Sequence, residues 1–316
     1  MSTPHEQQPG APLNAQPAVT PFTLPGWDSR LRGFHCGDEV DVFTLVTERY
    51  LVFVDTGATP EQAAQVVALA EGELRGRQPL VILSHADYDH CWGNAVFAPG
   101  GRLPAPIIGH ALTRERLLSQ GAADELAERL AEQPRFASVG LIAPDIAYTD
   151  RLVIDGGDLT LELLHTPGHT PDHTVVWIPA LRLLLAGDAV EHPWPYVHSG
   201  ADMPIMRATL ARLAALGAER IAVCHGGESA PALITRNIAY FDAVERYCRA
   251  ALAQTPTLAA QAVDLDGEAL EQAVALPYDE ALRMVNAGPE APAAFYRAFH
   301  QSAIRAMLAW LAASVD

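Results

Sequence analysis

Short apolar, β-branched runs separated by turn residues dominate the middle of this chain, and helical spacing takes over toward its end. Asp41 to Thr47 and Tyr50 to Val54 read as a hairpin across Glu48-Arg49. Thr59-Pro60-Glu61 then opens a helix running to about Leu74, with Thr59 as its N-cap and Pro60 in the first turn. Pro79 to Leu83 and Pro106 to Gly109 are short buried strands, and Leu112 to Leu130 carries the spacing of one longer amphipathic helix. From Ile146 the period drops to two. Arg151 to Ile154, Leu159 to Leu164, Thr174 to Ile178 and Arg182 to Leu185 become strands, with turns at Gly156-Gly157 and Pro179-Ala180. A helix from about Pro204 to Leu216 leads to the strand Arg220 to Val223. The remainder is Ala-rich and helical, with helices near Leu233 to Leu252 and Pro292 to Leu311.

This order predicts two successive blocks of strands and helices, hence a layered α/β core of sheets with helices outside. Three segments follow: a disordered tail over residues 1–20, rich in Pro, Gln, Ala and Ser; a core domain over 21–230; and a helical extension over 231–316 packed on that core. Apolar residues make up 49% of the 316, enough for a sizeable core. No apolar run reaches the roughly 18 residues of a membrane span. The N-terminus lacks the basic-then-apolar pattern of a secretory signal, so a cytoplasmic protein with reduced thiols at Cys36, Cys91, Cys224 and Cys248 is expected. The net charge of −17 speaks against nucleic acid as a partner, because phosphate binding needs a basic footprint. The expected partner is a small-molecule substrate, with neither nucleic acid nor membrane; self-association into a homo-oligomer stays open.

The chemistry sits where strands end. Leu83-Ser84-His85-Ala86-Asp87-Tyr88-Asp89-His90 delivers two imidazoles and two carboxylates just after an apolar strand. In an extended segment His85, Asp87 and Asp89 share one side. His90 must point elsewhere unless the chain turns, so the four can serve two neighbouring ions. Such donors suit Zn²⁺ and also Mn²⁺ or Fe²⁺. In Thr166-Pro167-Gly168-His169, a turn presents His169 as a ligand candidate. His173 starts the next strand and fits a supporting place, while His165 reads as structural. Asp188 and His225 each end an apolar strand beside glycine. After Asp188, Trp194 and Tyr196 either line a substrate pocket or anchor their loop, and His110 at its own strand end could reach the pocket. Cys91 reads as a packed residue or as a thiol close enough to the site to sense oxidation, and Cys224 as a packed residue. No Gly-x-Ser-x-Gly elbow occurs, which disfavours a serine hydrolase.

The ordered stations Asp55-Thr56-Gly57, His85-x-Asp87-x-Asp89-His90, Thr166-Pro167-Gly168-His169-Thr170, Gly187-Asp188 and His225-Gly226 resemble those of the metallo-β-lactamase superfamily. The resemblance covers roughly residues 40 to 230. It implies an αββα sandwich, with the site at the shared edge of two sheets and here a C-terminal helical extension. It also implies a binuclear site in which His85, Asp87 and His169 hold one ion, Asp89, His90 and His225 hold the other, and Asp188 bridges. Asp55 then orients the metal loop. The family's loop usually carries histidine where this chain has Asp87. A carboxylate there adds hardness, which favours iron or manganese relative to zinc. Zinc remains the first expectation for the two ions.

These metals imply a hydrolase whose metal-bridging hydroxide attacks a small ester, lactone or thioester, with Asp89 passing the proton on. Alternatives on the same fold are phosphodiester or sulfate-ester hydrolysis, and a flavodiiron-type redox centre suggested by Asp87. The chain carries no flavodoxin-like module to support the last.

Overall fold

The computed structural model describes residues 17–227, 230–286 and 293–314, which divide into two compact units, 17–165 with 172–187, and 166–171 with 188–314. The division expected near residue 230 therefore falls inside the second unit. Met1 to Gln16, most of the expected tail, lie outside the described residues. Val19 and Thr20 correct its boundary, because they already belong to a strand.

The first unit holds β1 (Val19–Phe22), β2 (Leu31–Cys36), β3 (Val40–Val46), β4 (Tyr50–Val54), α1 (Pro60–Ala70), β5 (Gln78–Ile82), α2 (Tyr88–Cys91), β6 (Ile107–His110), α3 (Ala111–Leu117), α4 (Gln120–Glu132), β7 (Ile146–Tyr148), β8 (Arg151–Asp155), β9 (Thr160–His165), β10 (Thr174–Ile178) and β11 (Leu183–Gly187). Strands β1 to β7 form one sheet in sequence order. Its first four strands are an antiparallel meander, and β4 to β7 run parallel. The second sheet carries the order β11-β10-β9-β8, antiparallel throughout this unit. Burial explains the two textures of the sequence. β8 alternates exposed and half-buried positions, whereas β10 and β11 are buried at every position and read as continuous apolar runs.

Helix α1 starts as expected, with the Thr59 hydroxyl accepting from Gln62 N at 3.3 Å. The helix expected over Leu112 to Leu130 is instead two. Ser119 interrupts it: its hydroxyl donates to Arg116 O at 2.6 Å and accepts from Ala122 N at 3.2 Å, ending α3 and capping α4.

The second unit holds α5 (Asp202–Ala215), β12 (Arg220–Val223), α6 (Ala232–Gln254), α7 (Leu258–Gln261), α8 (Gly267–Val274), α9 (Tyr278–Met284) and α10 (Ala293–Ala313). Its core is aromatic: Trp194, Tyr240, Phe241 and Tyr278 are fully buried. Among the described residues, no helix is long and apolar enough to cross a membrane.

Candidate metal centre

In the first unit the chain leaves β5 after Ile82 and bends at Ser84 and Ala86 before α2. Asp87 has extended φ/ψ of −70° and 149° and stands as the N-cap residue of α2. Asp89 and His90 therefore lie on a short helix, and the expectation of one extended side for His85, Asp87 and Asp89 is corrected. The turn resolves the placement of His90, whose ring lies 4.1 Å from that of His85.

Asp55 organises this half. It sits at the end of β4 with φ of 63°, a left-handed conformation that aspartate tolerates better than most residues. Its carboxylate accepts from Ser84 N at 2.7 Å, from Ser84 Oγ at 2.7 Å and from His90 Nδ1 at 2.9 Å. The Ser84 hydroxyl has one proton and directs it at the carboxylate. His85 Nδ1, 2.9 Å from Ser84 Oγ, must then be the donor of that pair. Both imidazoles consequently carry Nδ1–H, which leaves their lone pairs on Nε2. His85 Nε2 faces Asp87 Oδ2 at 3.5 Å, and His90 Nε2 faces Asp89 Oδ2 at 3.7 Å.

In the second unit His169 stands on the Thr166–Thr170 turn. Gly168 has φ of 140°, and a Cβ there would lie 2.5 Å from Met206 Cα, so only glycine fits. Thr209 Oγ1 of α5 donates to Pro167 O at 2.6 Å and pins the turn. His169 Nδ1 donates to Tyr196 O at 3.3 Å, again placing the lone pair on Nε2. One oxygen, Asp188 Oδ2, lies 3.6 Å from His169 Nε2 and 3.3 Å from His225 Nε2.

Four imidazole–carboxylate pairs thus recur at 3.3–3.7 Å. Two donors bound at about 2.1 Å around a tetrahedral ion stand about 3.4 Å apart. A nitrogen lone pair facing a carboxylate oxygen is repulsive unless a cation or proton lies between them. The donor set and its spacings therefore fit divalent metal ions.

Several supporting residues escaped the sequence reading. Glu191 is buried in a loop that looked merely aromatic, and its carboxyl, His169 and Asp188 come within 4.8 Å of one another. Burial, then the Asp188 charge, raises its pKa. Asn237 of α6 donates to Glu191 O and Pro193 O at 2.9 and 2.8 Å and accepts from Glu191 N at 3.2 Å. Arg116 of α3 donates to Asp87 Oδ1 at 2.6 Å and also reaches buried Asp172. No local pattern announces such long-range partners.

For two of the candidate pocket residues the fold already engages the side chain. His110 caps α3, accepting from Leu112 N at 3.2 Å, while its Nε2 donates to Thr149 O and its ring stacks on His165 at 4.0 Å. Both ring nitrogens serve the fold. Trp194 is fully buried and stacks on Tyr240 at 4.1 Å, so it anchors the loop. Tyr196 remains half-buried, 4.7 Å from Phe299 and 4.6 Å from His198. His173 is fully buried, its ring 5.2 Å from that of His85. Cys91 is buried and donates to Asp87 O at 3.3 Å; burial raises its thiol pKa, so it packs rather than reacts.

A model of the metallo-β-lactamase superfamily matches residues 37–225. Among solved structures, a metallo-β-lactamase family protein from Thermus thermophilus is 18% identical, covers 94% of this chain and 92% of its own, and superposes with a TM-score of 0.56. The chain is 25% identical over 214 residues to the linear primary-alkylsulfatase of a Pseudomonas species, covering 56% of this chain and 39% of that protein. It is 31% identical over 149 residues to an Aspergillus versicolor protein that carries the name of a transcription factor, covering 45% and 42% of the two chains. The chain thus spans about two fifths of the length of these curated relatives. The shared fold is the αββα sandwich, here with added C-terminal helices. With a family match spanning well over half its length and each motif station inside or at the edge of that match, this chain belongs to the metallo-β-lactamase superfamily.

Proposed function

We propose that the protein is a binuclear metallohydrolase that cleaves a small ester, lactone or thioester carrying an apolar group. The observation that carries this reading is the recurrence of oriented imidazoles, each with its Nε2 set 3.3–3.7 Å from a carboxylate oxygen. By the family's pattern, His85, Asp87 and His169 would hold one ion, Asp89, His90 and His225 the other, and Asp188 would serve both. Divalent ions there acidify a water and polarise the oxygen of the bond to be cut. Asp89 offers a carboxylate oxygen for the proton that the attacking water gives up. Asp55, through Ser84 and His90 Nδ1, keeps the two imidazoles in the tautomer that can ligate.

An aromatic group beside His169 supports the apolar substrate. Tyr196, Phe295 and Phe299 approach one another at ring distances of 4.7 and 4.4 Å, and Tyr196 O is the acceptor that orients His169. The net charge of −17 disfavours a polyanionic substrate. Sulfate-ester hydrolysis is the second reading, supported by the likeness to the alkylsulfatase.

Metal-reconstituted protein is expected to contain about two metal equivalents and to hydrolyse members of a chromogenic panel of carboxylic esters, lactones and thioesters. Fewer than half an equivalent sinks the metal reading. Turnover of alkyl sulfates alone selects the second one.

Asp55→Ala tests the orienting network. The change leaves Ser84 N–H and His90 Nδ1–H buried without their acceptor, and zinc affinity is expected to fall about 10–100-fold. Chelator competition measures it, and a value equal to the parent's removes Asp55 from the site.

A further inference from the structure

We infer that Arg116, locked by Asp172, is a positioning residue that makes the Asp87 carboxylate serve where the superfamily's loop usually carries a histidine. The inference rests on the metal-site reading and deepens it.

Arg116 uses its two terminal nitrogens on two different carboxylates. Nη2 donates to Asp87 Oδ1 at 2.6 Å, and Nη1 donates to Asp172 Oδ1. Asp172 is completely buried, and its other oxygen accepts from Ala86 N and from Thr113 Oγ1, each at 2.9 Å. This buried carboxylate therefore holds Asp87 from both directions. It fixes the backbone one residue before Asp87 through the Ala86 amide. It also fixes the guanidinium that grips the Asp87 side chain. Thr113 and Arg116 are three apart on α3, so both project from one face toward Asp172.

Two consequences follow for Asp87. Oδ1 is engaged by the guanidinium, which presents Oδ2, 3.5 Å from His85 Nε2, as the ligating oxygen. A free carboxylate could close on an ion with both oxygens; the clamped one offers a single donor, as imidazole does. The Arg116 charge also offsets that of Asp87, so the pair is closer to a neutral ligand than aspartate by itself. A lysine would supply the charge without the rigid planar fork that fixes the direction of both bonds. An ordinary surface ion pair would need none of this: a fully buried Asp172 with three donors is costly to place unless its partners are fixed.

The test is a double-mutant cycle read by zinc affinity, with chelator competition on the full chain. Arg116→Met is expected to lower the affinity for one of the two ions by about tenfold or more in the parent. In an Asp87→His background the same change is expected to shift affinity less than about twofold, because no carboxylate remains to be clamped. Asp87→Ala serves as a second background with the same expectation, and Asp87 tolerates change because its side chain is 27% exposed. Equal losses in the parent and in these backgrounds mean that Arg116 only supports the fold, which overturns the inference. No loss in the parent overturns it as well. A parent that binds no zinc overturns the metal reading beneath it.

Discussion

Asp188→Ala should strip metal from both positions at once and reduce kcat/KM by on the order of a thousandfold or more. The physical reason lies in one atom. Asp188 Oδ2 lies within 3.6 Å of His169 Nε2 and 3.3 Å of His225 Nε2, and these two histidines are assigned to different ions. An oxygen so placed can share its negative charge between two cations and offset their mutual repulsion. Without it, the ions lose a common ligand and several kcal/mol of electrostatic support; about 4 kcal/mol in the transition state is already near a thousandfold in rate. His225→Ala is the contrast: its ring serves one ion, so roughly one equivalent should be lost and the other kept. Elemental analysis after identical reconstitution measures both variants. Equal metal content in Asp188→Ala and the parent would rule out the bridge, whatever happened to activity. Thermal unfolding beside the metal analysis also separates the readings, since a residue that merely capped the turn after β11 would lower stability and leave metal stoichiometry intact.

The strand ends of this candidate site were legible because the proposed ligands follow apolar runs that carry their own signal. β11 is buried throughout, β5 and β12 each end in three buried apolar residues, and His85, Asp188 and His225 come directly or nearly directly after them. Thr59 was legible as a cap for the same reason: its chemistry is local. β1 and β2 were not legible. Their sequences, Val-Thr-Pro-Phe and Leu-Arg-Gly-Phe-His-Cys, break the alternation with proline and glycine. Gly33 is there because a Cβ would lie 2.3 Å from the Phe22 ring, a close approach between strands that no local pattern displays. The helical start after Asp87 stayed open because spacing by two fits an extended chain as well as the start of a helix. Arg116, Asp172 and Asn237 share a different obscurity. Each acts on residues dozens of positions away, through partners that only the fold brings near. His110 and Trp194 were read by chemical type, yet what decides their part is whether the fold already occupies their polar atoms and faces.

Trp194 therefore supplies the sharpest stability expectation. Trp194→Ala should destabilise the protein by about 3–5 kcal/mol. The indole is fully buried; it lies parallel to Tyr240 at 4.1 Å and 2°, meets Tyr278 edge-on at 5.8 Å and 81°, and has His300 at 5.8 Å. Truncation removes this area and leaves a cavity that helices α6, α9 and α10 cannot readily close, because Tyr240 and His300 are tied to each other at 2.9 Å and His300 to Leu276 O at 2.9 Å. Trp194→Phe keeps an aromatic face for Tyr240 and should lose well under half as much. The effect reaches the site along a short path. Pro195 and Tyr196 follow the indole, and Tyr196 O is the acceptor that sets the tautomer of His169. Loosening the anchor should therefore weaken metal retention as well as lower the melting temperature, by on the order of 5–10 °C. Thermal unfolding with parallel metal analysis makes the measurement. An unchanged melting temperature combined with a raised KM would return Trp194 to the substrate pocket and leave the aromatic loop without its anchor.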